Sequence, residues 1–144
     1  MADLLALSSR VIDSGVVDEP VNRVTNELSE LADGLAIVES FSHSIVLDAG
    51  EGLVAFDASH ARTGADVVAA IQGWTTTPVT HLVYTHGHAD HVGGSPDFAA
   101  AFDRMTVVGH RNVDERFDRY AYTNDWNVRI NARQFGGVRG DFGM

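Results

Sequence analysis

The chain has 144 residues, no cysteine, 44% hydrophobic and 21% charged residues, and a formal net charge of −10. That is the composition of one globular domain, and without Cys there are no disulfides, thiolate zinc sites, iron–sulfur clusters or cysteine nucleophiles. All ten basic residues are Arg, which excludes a Walker-A lysine and a lysine Schiff base; the acidic balance disfavours nucleic-acid phosphates and anionic lipid as partners.

Residues 1–24, with Ser8-Ser9, Ser14-Gly15 and Glu19-Pro20, read as an irregular or partly helical lead-in to a domain over 25–144. The start lacks a basic n-region and no apolar run approaches the roughly 20 residues of a spanning helix, so a cytoplasmic protein is expected. Between Thr25 and Asp57 the text is β-like, with strands at Leu35–Glu39, Ser44–Leu47 and Leu53–Phe56 separated by the turn signals Asp33-Gly34 and Gly50-Glu51-Gly52. A helix is predicted over Thr63–Gly73, with Thr63 as N-cap and Gly73 as its stop. Pro78–Thr85 is β-branched and apolar, a largely buried strand. A second helix starts near Ser95-Pro96 and takes in Phe98 to Phe102, a short strand covers Met105–Val108, and a third helix runs from Asn112 to about Tyr120. Gly136-Gly137 and Gly140 mark a turn-rich remainder. Strand and helix alternation after an antiparallel meander defines an α/β (α+β) fold, a mixed sheet with flanking helices.

The chemistry concentrates in Thr85-His86-Gly87-His88-Ala89-Asp90-His91-Val92-Gly93-Gly94, where three of the seven histidines and a carboxylate fall within six positions. Imidazole and carboxylate are the nitrogen and oxygen ligands of Zn²⁺, Fe²⁺ or Mn²⁺. Fully extended, His86 and Asp90 would stand about 13 Å apart, so the loop must curl; Gly87 and Gly93-Gly94 are expected to supply unusual backbone angles for that. Solvated surface histidines or an adventitious chelate are the bland alternative, which the density of the cluster, after a strand and before Gly-Gly, disfavours.

Thr85 to His91 resembles the Thr-His-x-His-x-Asp-His signature of the metallo-β-lactamase superfamily, and Thr25 to Val108 is similar to that family's N-terminal half. The Tyr84-Thr85 lead and the Gly-Gly pair resemble its alkyl-sulfatase-like and lactonase-like branches. The resemblance implies the N-terminal half of an αββα sandwich, with His86 and His88 in one metal site, Asp90 and His91 in a second, and Asp57 beside the loop as a supporting or structural group rather than a ligand. It also implies one or two zinc ions, or iron or manganese, water activated for attack on an ester, thioester, amide, phosphate or sulfate-type bond of a small-molecule substrate, and Asp90 orienting that water or carrying its proton.

The family's dinuclear site takes further ligands from downstream, where the one remaining histidine is His110; Asp114, Glu115, Asp118, Asp125 and Asp141 read as solvated charges. The chain is therefore expected to be a truncated domain, with an uncovered apolar sheet face that promotes self-association; the rival is a non-catalytic metal-binding or interaction fragment. His81 reads as structural, His43 as lacking a motif, and His60 as a solvent-facing residue at the rim. Arg111, Arg116 and Arg119 read as a salt-bridged helix face, and Ser95 has no base partner.

Overall fold

A computed structural model of the chain describes residues 3–18 and 23–134. Two compact units divide at Gly109 and His110. The first holds a helix α1 (Leu4–Ser14), then β1 (Glu27–Ala32), β2 (Leu35–Glu39), β3 (Ser44–Asp48), β4 (Leu53–Phe56), helix α2 (Gly64–Trp74), β5 (Val79–Val83), the one-turn α3 (Ala89–Val92), α4 (Ser95–Ala101) and β6 (Thr106–Val108). One sheet in the order β1-β2-β3-β4-β5-β6 takes all six strands. It is antiparallel from β1 to β4 and parallel from β4 to β6. The three anticipated meander strands are in place, and the glycine turns have a physical cause: Gly34 and Gly50 hold φ of 70° and 86°, angles that a Cβ disfavours.

Cross-strand register sorts the side chains into two faces. Ala36, Val46, Ala55 and Leu82 are opposite one another in turn, and all four are fully buried. With Leu28, Val38, Leu53 and Val79 they meet Val67, Val68 and Ile71 of α2 and Phe98 and Phe102 around α4 in a single core. The other row runs Ile37, Ile45, Phe56, Val83, Val108. At its β1–β2 end α1 packs, with Leu4 N donating to Ser29 Oγ at 3.3 Å and Arg23 forked onto the buried Glu39 at 3.0 and 2.6 Å. Further along, Ile45, Leu47 and Val108 stay 39–44% exposed.

Residues 4–14 of the lead-in form α1, capped by the Asp3 side chain on Ala6 N and ended by left-handed Gly15. Several other expectations are corrected. β1 was not among the predicted strands. α2 passes through Gly73 and ends at Trp74, and Thr63 makes no side-chain cap; its Oγ1 goes to Ser59 Oγ and the His60 carbonyl instead. β5 is buried only at Val79 and Leu82, with His81 exposed on the open face. In the second unit α5 runs from Val113 to Gln134, fourteen residues beyond Tyr120. Among the described residues no carboxylate pairs with Arg111, Arg116 or Arg119; Arg116 has Tyr120 four positions on, and lies 4.9 Å over its ring. Gly136, Gly137, Gly140 and Asp141 lie outside the described residues. Among those described, no helix is long and apolar enough to cross a membrane.

The two faces respond differently to substitution. Leu82→Ala should cost about 2–5 kcal/mol by chemical denaturation, whereas Leu47→Thr should cost under about 1 kcal/mol; equal losses would mean that both faces are core.

Candidate metal centre

Parallel pairing of β4 with β5 sets Phe56 beside Val83, so the residues that follow both strands emerge at one edge of the sheet, where open α/β sheets place their sites. Asp57 leaves β4 with a left-handed φ of 62°, and so does Ser59. Such angles are unfavourable for residues with a side chain and persist only where neighbours enforce them. Here Ser44 Oγ donates to the Asp57 carbonyl at 2.7 Å and Ser59 Oγ to Ser40 Oγ at 2.8 Å, while Ala58 N reaches the His91 carbonyl at 2.7 Å.

The bend aims the buried Asp57 carboxylate into the histidine loop. Its Oδ1 accepts Thr85 N at 2.8 Å; its Oδ2 accepts Thr85 Oγ1 at 2.6 Å and faces His91 Nδ1 at 2.7 Å. An ionised carboxylate only accepts, so His91 carries a proton on Nδ1. Its Nε2 then points toward Asp90 Oδ2, 3.5 Å away. In neutral His91 these are two lone-pair groups facing one another, a contact that a divalent cation or a second ring proton makes favourable.

The other two imidazoles also converge. His86 Nε2 and His88 Nδ1 are 2.7 Å apart, and the His86 and His91 rings lie 4.0 Å apart between centroids, tilted by 55°. Thr85 Oγ1 contacts His86 Nδ1 at 3.0 Å. Asp90, on α3, accepts from Ser42 Oγ at 2.8 Å. So His86 meets His88 and Asp90 meets His91, with Asp57 behind His91. Among the described residues the group whose ligand atoms all fall within 4.8 Å of one another is Asp57, His86 and His91. All the donors are nitrogen and oxygen, borderline or hard groups that suit zinc, iron or manganese, and among the described residues no protein donor bonds the His91 ring nitrogen turned from Asp57. The donor set fits a divalent ion.

The loop curls through close packing rather than unusual torsions. Gly93 and Gly94 have ordinary right-handed angles, contrary to the expectation, and the left-handed glycines lie elsewhere. What Gly94 provides is approach: a Cβ there would sit 2.1 Å from the Ala58 carbonyl oxygen and 2.8 Å from Gly64 Cα. Gly94 N donates to the Ser59 carbonyl at 3.1 Å, locking the loop exit to the strained bend after β4.

His60 sits at the rim with its ring 5.7 Å from Phe41, edge to face. It is half-buried rather than solvent-facing, and burial first, then the Arg62 guanidinium, hold its pKa below the usual histidine range against the opposing pull of Asp90. His43 Nδ1 accepts from Ser40 N at 3.3 Å within the β2–β3 turn. His81 bonds Thr80 Oγ1 at 3.1 Å. His110 is exposed, in the second unit. Ser95 has partners of its own, donating to the Val92 carbonyl at 2.6 Å and meeting Tyr84 Oη at 2.7 Å. The reading of the sequence missed Ser42, and assigned no task to Thr85 although it occupies the first position of the motif.

Residues 37–142 match the model of the Metallo-beta-lactamase superfamily. The chain belongs to that superfamily. The search of curated proteins finds no match. Among solved structures, a metallo-beta-lactamase of Cronobacter sakazakii with a HARLDQ motif is 16% identical with a TM-score of 0.58, over 68% of this chain and 36% of that one. A B3 metallo-beta-lactamase with an active-site glutamic acid is 20% identical at 0.57, over 68% and 42%. A double mutant of the sec-alkyl sulfatase PisA1 is 21% identical at 0.53, over 62% of this chain and 16% of that one. These likenesses show the fold, and this chain spans well under half the length of each structure. The mixed six-stranded sheet with its flanking helices is half of the metallo-β-lactamase sandwich.

Glycine approach at this site is testable. Gly94→Ala should destabilise by about 3 kcal/mol, because backbone atoms meet the added methyl. Gly73→Ala, in α2 with nothing within 4 Å, should stabilise by up to about 1 kcal/mol. Urea denaturation of both variants checks this, and a neutral Gly94→Ala would refute the packing account.

Proposed function

We propose that this chain carries the metal-binding half of a metallo-hydrolase, with His86 and His88 holding one divalent ion and Asp90 and His91 a second. The reading is carried by the pairwise convergence of His86 with His88 and of His91 with Asp90, on a loop whose last histidine is oriented from behind by a buried carboxylate. Zinc is the first choice of ion, with iron or manganese as alternatives from the same donor chemistry. Bound there, such an ion supplies a Lewis acid that brings the pKa of water toward about 7.

The protein's own groups divide the remaining work. Asp57 fixes the tautomer of His91 and leaves Nε2 as the ligating atom, the arrangement of a carboxylate–histidine–metal triad. With Oδ1 and Oδ2 already accepting three contacts, Asp57 acts through His91 and not as a ligand. Asp90 keeps one oxygen toward His91 and accepts the proton of the attacking water. In the complete fold the bond attacked is of the ester, thioester, amide or sulfate type in a small-molecule substrate, and the likeness to both lactamases and an alkyl sulfatase supports that breadth.

A second reading, metal binding without turnover, is favoured by one observation. The four proposed ligands His86, His88, Asp90 and His91 all lie on one short loop of the unit Met1–Gly109, a donor set that can hold an ion without the remainder of a catalytic site. Self-association belongs to the same proposal, with the exposed Ile45, Leu47 and Val108 of a second copy as the occupant of the open sheet face. A cytoplasmic location and the absence of a nucleic-acid partner remain part of the proposal, on the charge and composition given above.

Competition with a chromophoric chelator tests the assignment. The purified chain should hold one to two equivalents of zinc at micromolar concentration, and His88→Ala should weaken one of them by at least about tenfold, or 1.4 kcal/mol. No zinc retained, or retention indifferent to His88→Ala, would overturn the proposal. Turnover of ester, thioester, sulfate or β-lactam probes by the zinc-loaded chain would favour the hydrolase over the non-catalytic reading.

A further inference from the structure

We infer that Ser42 is a positioning residue for Asp90, and that the β2–β3 turn is a working part of the metal centre. This rests on the assignment of Asp90 as a ligand. Ser42 lies 48 positions from Asp90 in the chain, yet its hydroxyl donates to Asp90 Oδ2 at 2.8 Å. The donor is buried: Ser42 is 8% exposed. The acceptor is more open: Asp90 is on a helix of four residues and its side chain is 37% exposed. A carboxylate that open samples several rotamers, and the tether from a buried hydroxyl selects the one that keeps Oδ2 facing His91 Nε2.

The turn itself is held at three further points. Val38 and Ser44 pair across its base, Ser40 Oγ accepts from the strained Ser59 at 2.8 Å, and His43 Nδ1 accepts Ser40 N at 3.3 Å. Phe41, between Ser40 and Ser42, rests on His60. The turn is thus bound to the bend after β4 through Ser40 and to α3 through Ser42, so the two segments that build the site are registered by a third that contributes no ligand. Hydroxyls of this kind, bonded to a ligating carboxylate, orient it and tune its affinity.

Zinc titration of Ser42→Ala, Ser42→Thr and Asp90→Ala, each against a chelator, separates the claims. Ser42→Ala should weaken the Asp90-dependent equivalent by about 10–100-fold while leaving the His88-dependent one unchanged, and Ser42→Thr, which keeps the hydroxyl, should recover most of the affinity. If Asp90→Ala weakens binding and Ser42→Ala does not, or if Ser42→Thr falls as far as Ser42→Ala, the positioning role is refuted and the ligand assignment stands. If Asp90→Ala itself has no effect, the assignment beneath it fails. Should Ser42→Ala not fold, NMR of the unsubstituted protein decides: a correlation between a slowly exchanging Ser42 hydroxyl proton and the Asp90 carboxylate carbon supports the contact, and a freely exchanging hydroxyl overturns it.

Discussion

The Asp57 carboxylate is the constraint on which the centre depends. Taking a charge out of water costs several kcal/mol unless it is hydrogen-bonded, and here the compensation comes wholly from the loop it organises: Thr85 N, Thr85 Oγ1 and His91 Nδ1. Contacts to a charged acceptor are stronger than neutral ones, about 1.5–3 kcal/mol each. The same three contacts therefore stabilise Asp57 in the interior, begin the loop at Thr85 and set the ring of His91 near its end. Remove the carboxylate and both ends of the loop lose their reference point.

The rest of the unit serves that geometry. Parallel pairing of β4 and β5 brings Asp57 and Thr85 to the same sheet edge, and Asp57 N on the Val83 carbonyl at 2.9 Å extends the ladder by one step beyond the strand. The left-handed bend at Asp57 and Ser59 then turns the chain under the loop. Gly64 and Gly94 allow the two segments to approach more closely than any side chain would permit. Helices α2 and α4 cover one sheet face and hold these segments against an apolar core, while Ile45, Leu47 and Val108 of the opposite face stay exposed.

Much of this was legible in the residues. The strands from Leu35 to Phe56 announce themselves by apolar runs between glycine turns, and the His-x-His-x-Asp-His spacing resembles the signature of the superfamily whose model the chain matches and marks the loop as the candidate site. β1 was hidden because Glu27-Leu28-Ser29-Glu30-Leu31-Ala32 is made of residues content in a helix, and only pairing with β2 makes it a strand. The long α5 was hidden because its second half is rich in Thr, Asn and Asp, residues of low helix propensity, which mask the helical spacing of Tyr122, Trp126 and Ile130. Ser42 was illegible for another reason: its contact with Asp90 joins distant segments through a turn, and no local pattern encodes it. Gly93-Gly94 was read as a source of torsional freedom, whereas the tertiary structure uses these glycines for their missing side chains.

The tautomer of His91 tests the account most directly. In long-range proton–nitrogen NMR of the ¹⁵N-labelled chain, His91 should carry its proton on Nδ1, with a downfield resonance that reports the bond to Asp57. On addition of zinc the Nε2 signal should move to the metal-bound range while the Nδ1 proton persists. If zinc instead displaces the Nδ1 proton, Asp57 and His91 are ligands from the same side, and the picture of a carboxylate that holds the loop from behind is wrong.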